Sequence, residues 1–272
     1  MSQPGNQMQV EMPDYVVPHA PPPAPEPEPA KLGPWQRLIG TLFSPGETFQ
    51  DVNRKPTWLI PMLLIMVLAA AFMIFFNSQT DEGWRIFMRE QMSRQSGGGA
   101  QSNAGNLDMG IKIMKWSYVG GAFIVSPIYY LIIAGAFALV MLIMQAQTTF
   151  KRILSVVVWS ACGTGIVQSI VNIASLLARD SESLSRIGPK ELGTISATNL
   201  AVVLPSGSSP ALLALGQSLD IFSIWFLILL VIGFTAIAGS RKITKGKIAG
   251  VVFGLWILTI VMKVGGAAMF GR

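Results

Sequence analysis

A chain of 272 residues that is 51% hydrophobic and only 12% charged, with a mean hydropathy of +0.51, has too little polar surface to wrap a water-soluble domain. Its net charge of +6 comes from basic residues at the ends of apolar runs, so the excess reads as membrane topology and not as a nucleic-acid surface. Cys162 lies inside an apolar run and His19 in a proline-rich stretch, each the sole residue of its kind. That leaves no basis for a disulfide, a thiolate metal site or histidine catalysis, and no cofactor is expected.

Residues 1–34 hold Pro18, the triplet Pro21-Pro22-Pro23 and the alternation Pro25-Glu26-Pro27-Glu28-Pro29. Such a stretch cannot bury enough apolar surface to offset its ordering entropy, so it reads as a disordered cytoplasmic tail, a solvated spacer or a docking arm for other proteins. It lacks a basic region followed by an apolar one, so it is not a cleaved signal peptide.

Trp35, Leu38, Ile39, Leu42 and Phe43 then recur at the spacing of one helix face, with Gln36, Arg37 and Gly40 elsewhere; this predicts an amphipathic helix at the membrane interface. Ser44-Pro45-Gly46-Glu47 predicts a capping box, with Ser44 and Glu47 exchanging bonds with backbone amides and Pro45 in the first helical position. A short second helix follows over 45–53, stopped by Arg54-Lys55-Pro56. Residues 58–76 carry no charge and are long enough to cross a bilayer, with Trp58 at the headgroups.

Residues 77–115 form a connection of mixed charge around Gly97-Gly98-Gly99, with an interfacial helix signalled by Trp84, Phe87, Met88 and Met92. The second span covers about 116–144, with a tilt or kink expected at Pro127. A short turn with Lys151 and Arg152 leads to the third span, about 153–178. Its Gly163, Gln168 and Asn172 suit a helix packed inside the bundle, and it is the expected centre. Residues 179–218 make a second long connection, in which Ser209-Pro210 signals a helix start that bends or continues into a fourth span at about 220–238. The turn 239–247 is basic and free of acids. The fifth span, about 248–270, opens on Gly246, Gly250 and Gly254, spaced for close packing within the hairpin or against a second copy. Asp220 and Lys263 fall at similar depth on the last two spans, which predicts an ion pair or a snorkelling lysine.

Short basic loops belong in the cytoplasm. The reading is therefore an all-α membrane protein: a five-helix bundle over 35–272 with an N-terminal interfacial helix, N-terminus cytoplasmic and C-terminus external.

Leu42-Phe43-Ser44-Pro45-Gly46-Glu47-Thr48-Phe49 followed by Pro56-Thr57-Trp58-Leu59-Ile60-Pro61 resembles the entry to the Yip-one domain, a family of five-span membrane proteins. Leu219-Asp220-Ile221-Phe222-Ser223-Ile224-Trp225, then Gly233 and a basic turn, looks like its bacterial members. The resemblance implies a cytoplasmic N-terminal segment, five helices, a place in a bacterial inner membrane and no known catalytic site. Eukaryotic relatives engage Rab-type GTPases in vesicle traffic and membrane shaping; the Asp-Leu-Tyr-Gly-Pro element of those relatives is missing here, so GTPase binding is not carried over. The expected function is non-enzymatic membrane organisation or scaffolding, with the lipid bilayer as partner. The alternative is a small-solute permease or permease subunit, motivated by Pro127, Gln168, Asn172 and Lys263.

Overall fold

The computed structural model describes residues 31–95, 104–195, 198–205, 207–240 and 242–270. The expected tail lies almost wholly outside these residues, as does Gly97-Gly98-Gly99.

The described chain is helical: α1 Pro34–Phe43, α2 Pro45–Arg54, α3 Leu59–Gln79, α4 Asp81–Gln95, α5 Ala104–Ile143, α6 Phe150–Leu177, α7 Ser181–Ser185, α8 Pro210–Ser218, α9 Ile221–Ile237 and α10 Lys245–Phe270, with 3₁₀ turns at Pro189–Thr194 and Leu200–Val203. No strand forms among the described residues; one isolated bridge joins Asn199 and Asp220. Four helices, α3, α5, α6 and α10, are long and apolar enough to cross a membrane, and α9 is a shorter apolar helix. At ~1.5 Å per residue, the 21 residues of α3 reach ~32 Å, the thickness of the hydrocarbon layer.

α6 is the hub. It packs against α1, α2, α3, α5 and α9, and its stretch from Ile153 to Thr164 is buried throughout. The main core lies at one end of the molecule, where Phe49 and Val52 of α2, Phe137 and Met141 of α5, Val156 and Trp159 of α6, Phe234 of α9 and Ile248 of α10 meet. Two turns close that end: the Gln147 N–H donates to the Ala238 carbonyl at 3.1 Å. Gly239 sits there at φ +65°, where a Cβ would approach the Gln147 carbonyl oxygen to 2.7 Å, so both the backbone angle and the space demand glycine.

At the opposite end α4 packs on the first turns of α5 and on the Pro189–Thr194 turn. Trp84, Leu107, Ile111, Leu176, Leu184, Ile187 and Ile195 form a second core there. α5 thus begins at Ala104, well before the expected span start near Trp116. Its polar first turns are helical because Leu107 and Ile111, one turn apart, give α4 a surface to cover. It passes through Pro127 as one helix.

The fourth apolar segment is broken, as the Ser209-Pro210 signal allows. α8 ends at Ser218 and α9 starts at Ile221, and α10 lies against both pieces. Two abutting helix ends leave backbone groups without helical partners. The segment around Thr198–Leu200 supplies them: Leu200 N–H donates to the Leu219 carbonyl at 3.3 Å, and Ile221 N–H to the Thr198 carbonyl at 3.2 Å.

Candidate functional site: a buried ionic junction behind an apolar face

α1 and α2 form a helical hairpin about Ser44, and the hairpin is laid on α6 and α9. The close fit follows from small residues. A methyl group at Gly40 would come within 2.2 Å of Thr48 Oγ1, one at Gly163 within 2.9 Å of Thr41 Cγ2, and one at Gly233 within 2.4 Å of Val156 Cγ1. Gly163, expected on a helix packed inside the bundle, lies against Thr41 and Leu42 of α1.

The face that α1 turns inward is its polar one. Arg37 is 3% exposed and Thr41 fully buried, whereas Trp35, Ile39 and Phe43 are 71%, 59% and 80% exposed; Leu38 and Leu42 lie between. Arg37 meets Asp51 of α2, itself 2% exposed. Its Nε donates to Asp51 Oδ2 at 2.9 Å, and its Nη2 lies 2.8 Å from the same oxygen. Its Nη1 donates to the Lys55 carbonyl at 3.0 Å and to Thr57 Oγ1 at 2.5 Å. The other Asp51 oxygen accepts the Lys31 N–H at 2.7 Å. Burial pushes the Asp51 carboxyl upward, but the Lys31 amide and the Arg37 guanidinium outweigh it and hold the group below its ordinary value.

The junction continues into the bundle. Trp159 Nε1 of α6 donates to the Thr57 carbonyl at 2.8 Å. Asn53 Nδ2 donates to the Ala236 carbonyl of α9 at 3.3 Å, and Arg152 Nε of α6 to the Asn53 carbonyl at 3.1 Å. A buried ion pair with its remaining donors satisfied fixes the hairpin in one position on the bundle. The chain order alone had not marked Arg37, Asp51 or Trp159. A usable signal was present: Arg37 and Asp51 lie equally far on either side of Ser44, so a helical hairpin folded there brings them level.

Several expected residues are placed differently. The capping box does not form: Ser44 makes no side-chain cap bond, and Glu47 is exposed. Thr48 occupies the Ser44 carbonyl instead, through its N–H at 3.2 Å and its Oγ1 at 3.1 Å. Pro45 does sit at the first position of α2. Asp220 and Lys263 are not brought together. Asp220 caps α9, its Oδ1 accepting the Phe222 and Ser223 N–H groups at 2.8 and 3.2 Å and its Oδ2 the Thr198 hydroxyl at 2.5 Å. A carboxylate turned onto its own first turn cannot reach across to α10, where Lys263 is exposed. Gly246, Gly250 and Gly254 are exposed, and a methyl group at Gly250 or Gly254 would meet nothing within 4 Å. The hairpin of α9 and α10 buries Ile248 and Val252 instead. Gln168 and Asn172 are half-buried on α6, in line with Ser160, whose hydroxyl is buried without a partner among the described residues.

Helices of this length and apolarity, lipid-like side chains facing outward and polar groups folded inward define an α-helical membrane protein that crosses the bilayer several times. Residues 39–266 match the Yip1 domain, and the chain belongs to the Yip1 domain family. It is also similar to "Membrane protein YknW" of Bacillus subtilis (strain 168), with 25% identity over 223 residues, covering 81% of this chain and 87% of that protein. No solved structure matches the chain.

Proposed function

We propose that this Yip1-family chain is a non-enzymatic membrane organiser whose α1 face seats in the bilayer while the Arg37–Asp51 junction holds it against the bundle. The observation that carries the reading is the inverted polarity of α1: Trp35, Ile39 and Phe43 point outward at 71%, 59% and 80% exposure, beside a helix partner fixed by a buried ion pair. An apolar face on a rigid arm, next to a span, is suited to lie at the headgroup–acyl boundary and wedge one leaflet. The same reading has five crossings, with α8 and α9 making the fourth end to end. The basic turns that carry Lys151 and Lys245 lie in the cytoplasm of a bacterial inner membrane, with the N-terminus on the same side and the C-terminus outside. Docking of cytoplasmic proteins on the proline-rich tail, and of a second copy on the open glycine face of α10, belong to it as secondary proposals.

The test is full-length protein reconstituted into vesicles, comparing the wild type with the triple variant W35S/I39S/F43S for vesicle diameter and for small-solute flux. The wild type narrows or tubulates vesicles, the variant does not, and neither conducts. Unchanged vesicle shape with the wild type would sink the proposal. The alternative, a small-solute permease, is favoured by Ser160, Thr164, Gln168 and Asn172, which recur every four residues along α6; it requires flux that Q168L/N172L abolishes.

A further inference from the structure

At the end of the molecule away from the α1–α2 hairpin, a groove of about 250 Å³ runs between α4 and α5, lined by Asp81, Arg85, Asp108, Ile111, Lys112, Lys115 and Trp116. Two ladders of one-turn spacing build it: Asp81 and Arg85 on α4, and Asp108, Lys112 and Trp116 on α5. The carboxylates are already used. Arg85 Nη1 donates to Asp108 Oδ1 at 2.6 Å, and Lys115 pairs with Asp81. These pairs orient the two cations and leave one over. Lys112 is exposed and has neither a hydrogen-bond nor an ion-pair partner among the described residues.

The height of the groove is set by α3. Lys115 Nζ also donates to the Asn77 carbonyl at 2.9 Å, and Asn77 Nδ2 donates to the Lys115 carbonyl at 3.1 Å. Asn77 lies in the last turn of an apolar crossing helix, so the groove stands where that crossing meets the headgroups. Along α5 from the groove toward the far end, Trp116, Phe123 and Ile124 are 62%, 46% and 64% exposed. A tryptophan at this height marks the interface, and the apolar stripe beyond it suits acyl chains.

We propose that this groove holds the headgroup phosphate of an anionic phospholipid, with Lys112 as its counter-charge, the Arg85–Asp108 and Lys115–Asp81 pairs as its walls, and Trp116 beneath the glycerol. The occupant is a membrane lipid and not free phosphate, because the surplus cation and the lipid-facing stripe are continuous on one helix.

The experiment uses the full chain in neutral detergent, stripped of lipid and titrated with phosphatidylglycerol, with phosphatidylcholine or with inorganic phosphate, bound molecules being counted by native mass spectrometry. One phosphatidylglycerol binds in preference to phosphatidylcholine; Lys112→Gln weakens it about five-fold, the effect of roughly one lysine charge at a membrane surface, and Lys112→Arg restores it. Lys112 is exposed, so both variants keep the wild-type melting curve, and Lys151→Gln at the other end of the molecule leaves binding unchanged. Equal binding of the two lipids, equal affinity of Lys112→Gln and wild type, or displacement of the lipid by inorganic phosphate at comparable concentration would each overturn the assignment.

Discussion

Replacing Arg37 by methionine keeps the length of the side chain and removes its charge, leaving the buried Asp51 carboxylate without its cation and held by backbone N–H groups, that of Lys31 at 2.7 Å. The bonds lost are those to Asp51 Oδ2 at 2.9 Å, the Lys55 carbonyl at 3.0 Å and Thr57 Oγ1 at 2.5 Å. Breaking one side of a pair this deeply buried costs about 3–5 kcal/mol. What else holds α1 is the packing of Leu38, Thr41 and Leu42, of which only Thr41 is fully buried. A full aliphatic burial is worth ~1.5–3 kcal/mol, so the loss rivals everything that remains. α1 should therefore detach locally while α3 to α10 stay folded. At 1.4 kcal/mol per decade, opening of residues 34–43 becomes roughly 10² to 4 × 10³-fold more frequent. Hydrogen exchange on the full chain in nanodiscs reads this directly, and R37M, D51L and R37M/D51L complete a cycle. The double variant recovers most of the protection, since no unpaired charge is left buried. Protection of α1 in R37M equal to wild type, or a coupling energy near zero, would refute the reasoning.

Two further expectations concern the opposite end. A Cβ at Gly83 would approach the Ile187 carbonyl oxygen to 2.0 Å, whereas one at Gly120 would meet nothing within 4 Å. Gly83→Ala therefore costs about 1–3 kcal/mol through overpacking, and Gly120→Ala gains up to ~1 kcal/mol of helix propensity; thermal melts of the two should shift in opposite directions. Lys115 holds the Asp81 carboxyl below its ordinary value, Lys190 does so for Glu90, and the Ser183 amide for Asp180. Groups with lowered folded values bind more protons when unfolded, so their stabilisation is complete above the ordinary carboxylate range and is lost as pH falls through the folded values. Exchange protection of α4 should be level above about pH 5 and fall below about pH 4; a loss between pH 6 and 8 would contradict these pairings.

Helix positions were legible wherever local chemistry decides them. Proline at 34, 45 and 210 marks three first helical positions, and apolar runs mark α3, α6, α9 and α10 to within a few residues. Which way a face turns was not legible. Periodicity finds the apolar side of α1, but not that Arg37 and Thr41 on its other side are buried against the rest of the chain while Trp35 is exposed. Counting along the two runs matched Asp220 and Lys263 in depth. It missed that a helix starting at Ile221 claims the aspartate for its own amides. The early start of α5 was hidden by polar residues, although Leu107 and Ile111 already carried the core spacing.

The junction beneath α1 is also a statement about the order of assembly. Trp159 lies 102 residues after Thr57, Arg152 lies 99 after Asn53, and Ala236 lies 183 after Asn53. The ribosome delivers the hairpin first and its seat last. The Arg37–Asp51 pair and its bonds to Lys31, Lys55 and Thr57 lie within residues 31–57, whereas the bonds to α6 and α9 need residues made much later. A chain ending before Ile221 thus carries the hairpin without its contacts to α9, and the Asn53–Ala236 bond is the last of the junction's bonds that synthesis makes possible.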